Sequence, residues 1–390
     1  MRLLVISNLY PPEVQGGYEI LCAQVVEGLR TLGHSVVVLT SQSEGGDRDS
    51  SVLRRLQLTG RFPEPVRANR WNSLAIHRRN AATTRNVIEA LRPDRVFIWS
   101  QLRLTLGCAE AAEQSGLPVS YTFNDEHPVG FLPRVANGTV RSKIGAVIDA
   151  AFPRPTSRAR RFAHTTCISA TLKEALVEKG LRIPGSRVIY QGIPIQRFPA
   201  LLERMRGPEL RILYAGQLHE YKGVHTLLEA AAMLSRRGSR RFEVSIAGEG
   251  PSAYKARLSE LARLVGAPVR FLGRVSHADI PALYRAHDVF VFPSIWREPF
   301  GLTHLEAMAS GTPVVSTTEG GPGEFLVDEQ NALTFPKADP TLLADALARL
   351  ADDEALGRRI ARNARTMVEN RFSLDRYVSD LEAFLGEAPL

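Results

Sequence analysis

The sequence predicts an α/β protein built from two doubly wound domains with parallel sheets, and three observations carry that expectation. Short runs rich in Val, Ile and Leu alternate with longer amphipathic stretches, the pattern of βαβ units. The strand-like runs are apolar at nearly every position rather than at every second one, which predicts burial on both faces. The 390 residues exceed what one ordinary core encloses, so two domains are expected, joined near residue 195.

In the first half the strand candidates are "RLLVIS" from Arg2, "SVVVLT" from Ser35, "RVFIWS" from Arg95, "PVSYTF" from Pro118, "HTTCIS" from His164 and "RVIY" from Arg187. The second set reads "LRILYAG" from Leu210, "EVSIAG" from Glu243, "VRFLG" from Val269, "VFVFPS" from Val289, "TPVVST" from Thr312 and "ALTF" from Ala332. The segment "SLDRYVSDLEAFL" places Leu374, Tyr377, Val378, Leu381 and Phe384 at helical spacing, so a terminal helix over 371–390 should dock on a domain surface. The expected divisions are thus 1–195, 196–370 and 371–390. In open parallel sheets ligands bind outside the carboxyl ends of the strands, which here should face each other.

Apolar residues at 44% and charged residues at 23% fit a globular enzyme and exclude a disordered chain. The net charge of +8 suits an anionic partner. It is diffuse and has no aromatic-basic motif beside it, which argues against nucleic acid. Cys22, Cys108 and Cys167 are odd in number and widely spaced, as expected of core residues in a reducing compartment. The opening "MRLLVISNLYPPE" has too short an apolar run for a signal peptide, so a cytoplasmic protein is expected.

Two segments invite other readings. Asp47-Arg48-Asp49 resembles an Asp-x-Asp metal motif, but that motif follows a buried strand directly and this one lies in the polar tract "SEGGDRDSS"; no metal is expected. Between Pro128 and Thr166 stand Arg134, Arg141, Lys143, Arg154, Arg158, Arg160 and Arg161 against a single Asp149. A basic amphipathic helix of this kind can lie on the inner, anionic face of a membrane; a solvated helix covering the first domain is the plainer alternative.

The chemistry concentrates in "IWREPFGLTHLEAMASGTPVV". Pro299-Phe300-Gly301 forces a turn after a strand, and Leu302, Leu305 and Met308 then recur at three-residue intervals up to Gly311, predicting a short helix. Its first amides, those of Phe300, Gly301, Leu302 and Thr303, lack helical acceptors and stand at the positive end of the dipole, a place for a diphosphate. Glu306, one turn in, can accept hydrogen bonds from vicinal ribose hydroxyls. Glu298, before the turn, can face the sugar beyond the phosphates. In "YAGQLHEYKG", Gly216 allows close backbone approach beside Gln217, and Lys222 supplies a charge for phosphate. In the first half Gly16-Gly17 separates a strand from a helix without the Gly-x-Gly-x-x-Gly of dinucleotide sites.

Taken jointly, Gly16-Gly17, "GQLHEYKG", "IAGEGP" with Gly248, "FLGRVSHADIPALYRAHDVFVFPS", the Glu-x7-Glu of Glu298 and Glu306, and "GGPGE" resemble a retaining glycosyltransferase of the GT-B fold, family 4, nearly end to end. The resemblance implies two Rossmann-like domains facing each other across a cleft, with the nucleotide-sugar, expected to be a UDP-sugar, in the second. Lys222 would contact the diphosphate, Glu306 the ribose, Glu298 with the amides of Phe300 and Gly301 the sugar and phosphate, Arg274 the base, and Gly17 the diphosphate or acceptor. It implies no cofactor beyond this co-substrate and no metal. Two positions depart from the family. Gln217 stands where an arginine is common, removing a bidentate phosphate clamp. Asn124 stands where a histidine often does, so either Asn124 hydrogen-bonds the sugar, or Asp125, Glu126 or His127 takes the polar role.

The acceptor, a glycan, lipid-linked sugar or small metabolite, should be chosen by first-domain loops over 42–92 and 126–162. A nucleotide-sugar epimerase on a similar fold would interconvert the donor without any acceptor. A non-catalytic nucleotide-sugar-binding protein would bind the donor and leave it intact.

Overall fold

The structure, a computed structural model, describes every residue except 44, 45, 47, 48, 61, 63–69, 133–160, 203–206, 239, 240 and 388–390. The chain divides into two units: Met1–Tyr190 with Tyr377–Leu390, and Gln191–Arg376. The basic run of residues 134–160 and the first two residues of Asp47-Arg48-Asp49 lie outside the described residues.

The first unit is a seven-stranded parallel sheet in the order β3-β2-β1-β4-β5-β6-β7. Its strands are β1 (Arg2–Ile6), β2 (Ser35–Ser41), β3 (Val52–Leu56), β4 (Arg95–Ile98), β5 (Val119–Phe123), β6 (Thr165–Cys167) and β7 (Arg187–Val188). Helices α1 (Gly17–Thr31), α2 (Arg70–Leu91), α3 (Gly107–Gln114) and α4 (Ala170–Glu178) flank them. β1 pairs with β2 on one side and β4 on the other, Leu3 opposite Val36 and Arg95 respectively, so the strand order reverses beside β1. Leu3 through Ile6 are fully buried there, as central strands covered on both faces must be. The three cysteines are free and buried.

The second unit has a six-stranded sheet, order β10-β9-β8-β11-β12-β13. It comprises β8 (Leu210–Ala215), β9 (Phe242–Ala247), β10 (Val269–Gly273), β11 (Val289–Phe292), β12 (Val314–Ser316) and β13 (Leu333–Thr334). Helices α5 (Val224–Arg236), α6 (Ser252–Arg263), α7 (Ile280–Ala286), α8 (Leu302–Ala309), α9 (Pro340–Asp352) and α10 (Glu354–Arg371) complete it. Order reverses between β8 and β11, and the loops leaving their carboxyl ends carry the Lys222 and Glu298 segments.

Three expectations need correction. β3, "VLRRL", was not foreseen, because Arg54 and Arg55 interrupt its apolar run; as an edge strand it tolerates them, and Arg54 donates to the carbonyls of Tyr10 and Pro11 at 3.2 and 2.5 Å. Residues 70–91, expected as loop, form α2. Its Arg- and Asn-rich sequence hides the helix, since part of its buried face is polar: Asn80 is fully buried and bonds the main chain of Gln57 and Leu104 at 2.9 Å, and His77 meets Glu110 at 2.9 Å. Finally, β10 is not buried on both faces. It is a sheet edge, with Phe271 and Leu272 about two-fifths exposed.

The last helix, α11 (Leu374–Gly386), starts in the second unit, and from Tyr377 onward the chain belongs to the first. Tyr377, Val378, Leu381, Phe384 and Leu385 form its buried stripe. Phe384 stacks on His164 at 3.9 Å, His34 pairs with Glu382 at 3.1 Å, and Gly28 is kept bare because a Cβ there would come within 2.8 Å of Val378. Among the described residues no helix is long and apolar enough to cross a membrane.

Candidate functional site

Glycines bring the second unit's loops into contact. A Cβ on Gly248 (φ +147°) would lie 1.8 Å from the Gly216 carbonyl oxygen, and one on Gly250 would lie 1.9 Å from that of Leu218. The loops after β8 and β9 therefore lie flat on one another. Gly223, in the left-handed region at φ +68°, lets the start of α5 meet the Pro293 carbonyl, which a Cβ would approach to 1.9 Å. The loop after β11 is tied to the same place: the Ile295 amide donates to the Tyr221 carbonyl at 3.0 Å.

This register sets Lys222 against Glu298. The ammonium donates to both carboxylate oxygens at 2.8 Å, and Ser294 Oγ donates to Glu298 Oε1 at 2.5 Å. The pair is largely shielded, with side-chain exposures of 14% and 8%. Three aromatic rings, Phe292, Tyr221 and Trp296, stand 5.4 to 5.6 Å from Lys222 Nζ and add cation–π attraction. Glu298 is fixed from behind by the Gly320-Gly321 segment. Its amide donates to the Glu319 carbonyl, its carbonyl accepts from Gly321, and a Cβ on Gly320 (φ +87°) would sit 2.3 Å from that carbonyl oxygen.

Three residues on, Gly301 (φ +135°) caps α8 without any side-chain bond. No acceptor is present among the described residues for the amides of Leu302 and Thr303, as the first turn of a helix requires. Glu306 lies one turn further. Its Oε2 accepts from the buried Tyr284 hydroxyl at 3.2 Å, which also reaches the Thr303 carbonyl. Burial pushes the Glu306 carboxyl up to about 7, outweighing the Tyr284 bond and the Arg197 charge. His304 is a packed core histidine: burial drops it to about 3, and Nε2 meets Ser316 Oγ at 2.8 Å.

Lys222, Glu298, Ser294 and the start of α8 are thus brought together, and Gly216 and Gly248 adjoin the same strand ends. Gln217 is exposed, its carbonyl accepting from Tyr214 at 2.8 Å. Arg274 is exposed after Gly273, whose carbonyl accepts from the Gly248 amide at 2.8 Å, and its charge helps hold the Glu249 carboxyl below the usual range, after Lys255. Sequence reasoning passed over Ser294, Tyr284 and the aromatic rings. Ser294 ends the quoted "VFVFPS", yet nothing in a linear reading says that its hydroxyl turns onto a glutamate four residues away.

The remaining candidates stand in the first unit. Gly16 and Gly17 open α1, and the Gly16 amide donates to Glu19 Oε2 at 2.9 Å in a capping arrangement. Glu19 is fully buried, and burial raises its carboxyl. Asn124 donates to the Trp99 carbonyl at 3.1 Å. Asp125 Oδ1 accepts the His127 amide at 2.8 Å, and Glu126 pairs with Lys179. Burial lowers the His127 imidazole against the opposing pulls of Asp125 and of a hydrogen bond to the Gln101 main chain. Of the four residues weighed for the polar role, Glu126 is the one engaged with a surface lysine.

Two family models match the chain, "Glycosyltransferase Family 4" over residues 15–197 and "Glycosyl transferases group 1" over residues 203–367. A glycogen synthase of Mycobacterium tuberculosis is 28% identical over 396 residues, covering 95% of this chain and 91% of the relative. A D-inositol 3-phosphate glycosyltransferase of Salinispora arenicola is 35% identical over 223 residues, 52% of this chain and 49% of its own. Among solved structures, HepE of Anabaena in complex with UDP and glucose superposes with a TM-score of 0.72 at 19% identity, covering 100% of both chains. That last likeness concerns the fold.

Proposed function

The chain belongs to glycosyltransferase family 4 and has the GT-B fold, and on that premise we propose that it transfers a sugar from a nucleoside-diphosphate sugar, a UDP-sugar, to an acceptor hydroxyl with retention of anomeric configuration. The observation that carries this reading is the shielded Lys222–Glu298 pair held beside the uncapped start of α8. It offers a cation and the unpaired amides of Leu302 and Thr303 for a diphosphate, with a carboxylate next to them for sugar hydroxyls. HepE, a protein of the same fold, is in complex with UDP and glucose, which is consistent with the choice of a UDP-sugar.

In this proposal Lys222 and the amides of Phe300, Gly301, Leu302 and Thr303 hold the diphosphate. Glu306 accepts from the ribose, and the main chain around Gly216, Gln217, Gly248 and Arg274 meets the nucleoside. Glu298 orients the transferred sugar. As the bond from the anomeric carbon to the phosphate oxygen breaks, negative charge grows on the departing diphosphate, where fixed N–H groups and the ammonium stabilise it without reorganising. The departing phosphate oxygen takes the proton of the acceptor hydroxyl as the new glycosidic bond forms on the same face. The residues of this chain then need supply no separate base and, in this reading, no metal.

The test is an NMR time course with UDP-glucose and an acceptor panel, with and without EDTA. Retention at the anomeric carbon, unaffected by EDTA and abolished in Lys222→Ala and Glu298→Ala, is expected. An inverted product refutes the mechanism, and conversion of the donor sugar without acceptor marks an epimerase instead.

A further inference from the structure

Two side chains hold the Glu298 carboxylate, and they hold different parts of it. Lys222 Nζ donates to both oxygens at 2.8 Å, whereas Ser294 Oγ donates to Oε1 alone at 2.5 Å. Among the described residues no other side chain bonds this carboxylate.

Ser294 is placed to keep its bond. It follows β11, is fully buried, and its carbonyl accepts from the Thr317 hydroxyl at 2.8 Å. The Trp296 amide donates to its Oγ at 3.3 Å. That hydroxyl has a single proton to give. Glu298 Oε1 is its nearest acceptor, with the carbonyls of Tyr221 and Trp296 farther off at 3.2 and 3.4 Å. Hydrogen bonds to a charged acceptor are the stronger kind, so the proton belongs on the carboxylate.

The two holders respond differently to a diphosphate. Lys222 carries its charge on a flexible four-carbon stem and is attracted to the phosphates. Ser294 is neutral, short and enclosed, and it stays. With the ammonium drawn off, Oε1 still has the Ser294 proton and Oε2 has lost its donor. The last torsion of a glutamate is broad, so a carboxylate held by neither partner turns readily. We infer that Ser294 is a positioning residue: it pins Oε1 so that Oε2 is presented to a hydroxyl of the transferred sugar. The sugar in this statement rests on the transferase reading; the hold on a single oxygen does not.

The test is calorimetry on the full chain with two probes, UDP and UDP-glucose. Loss of a hydrogen bond to a charged group predicts that Ser294→Ala weakens UDP-glucose by about fivefold or more and changes UDP by less than about twofold, since UDP brings Oε2 no hexose. In a Glu298→Ala background, with no carboxylate left to aim, the same substitution should change UDP-glucose by less than about twofold. A merely structural role would weaken both probes in both backgrounds. Unchanged UDP-glucose affinity in Ser294→Ala, equal weakening of the two probes, or the same loss with and without Glu298 overturns the inference. Should Ser294→Ala fail to fold, Ser294→Cys, similar in size and a weaker donor, is read by the same titrations and should show the same selective loss. UDP-glucose weakened as described, with no sugar passed to any acceptor by the unaltered chain, sinks the proposed function and leaves the positioning role standing. Transfer that proceeds while Ser294→Ala keeps its UDP-glucose affinity sinks the inference alone.

Discussion

Replacing Glu298 by glutamine removes one charge at nearly constant shape, and its expected effects on UDP binding and on transfer run in opposite directions. Two N–O contacts of 2.8 Å link Lys222 to Glu298 in a shielded setting. At an effective dielectric of about 20 the gross attraction of unit charges about 3 Å apart is roughly 5 kcal/mol, most of it offset by desolvation. A net contribution of about 1.4 kcal/mol corresponds to a factor of about ten in affinity. UDP must draw the ammonium away from the carboxylate and tolerate its negative charge. In Glu298→Gln the ammonium is free, so UDP should bind about tenfold more tightly by calorimetry, while transfer falls for want of the sugar's carboxylate. Removing one partner of a shielded pair should also cost the unliganded protein about 2–3 kcal/mol in urea unfolding, toward the low side of the range for buried pairs because Lys222 keeps some solvent. UDP binding that is unchanged or weaker in this variant, with unaltered stability, would refute the reasoning.

Glu306 ionises near 7, so UDP affinity should rise with pH through that value, changing up to tenfold between pH 6 and 8, and the slope should flatten in Glu306→Gln. The folded group binds protons more tightly than a free carboxyl. Its ionisation therefore erodes stability as pH rises from about 4.5 to about 7, with no further change above, and unfolding curves of the glutamine variant should lack this component. Gly320→Ala forces a Cβ to within 2.3 Å of the Glu298 carbonyl oxygen at a positive φ; loss of most transfer activity and a melting point lower by several degrees are expected, and wild-type values for both would refute the clamp. Phe384→Ala, which unstacks His164, should destabilise the first unit by about 3–5 kcal/mol in urea unfolding.

The parallel sheets were legible because buried strands are continuously apolar, and that signal survives in "RLLVIS" and "VFVFPS" without knowledge of neighbours. It fails where burial is partial or polar, which is why β3, with its two arginines, and α2, with its buried Asn80, went unread. The turn at Pro299-Phe300-Gly301 and the helix after it were legible through local chemistry. The partnership of Lys222 with Glu298 was not, since it depends on Gly223 meeting Pro293 across 70 residues of sequence.

Because the segment from Tyr377 onward completes the first unit, that unit begins to emerge from the ribosome before the second yet is finished after it. Until that segment is made, the surface around Gly28 and His164 lacks its cover, and the second unit has every residue it needs sooner. A stop codon placed just before Tyr377 should therefore damage the first unit rather than the second.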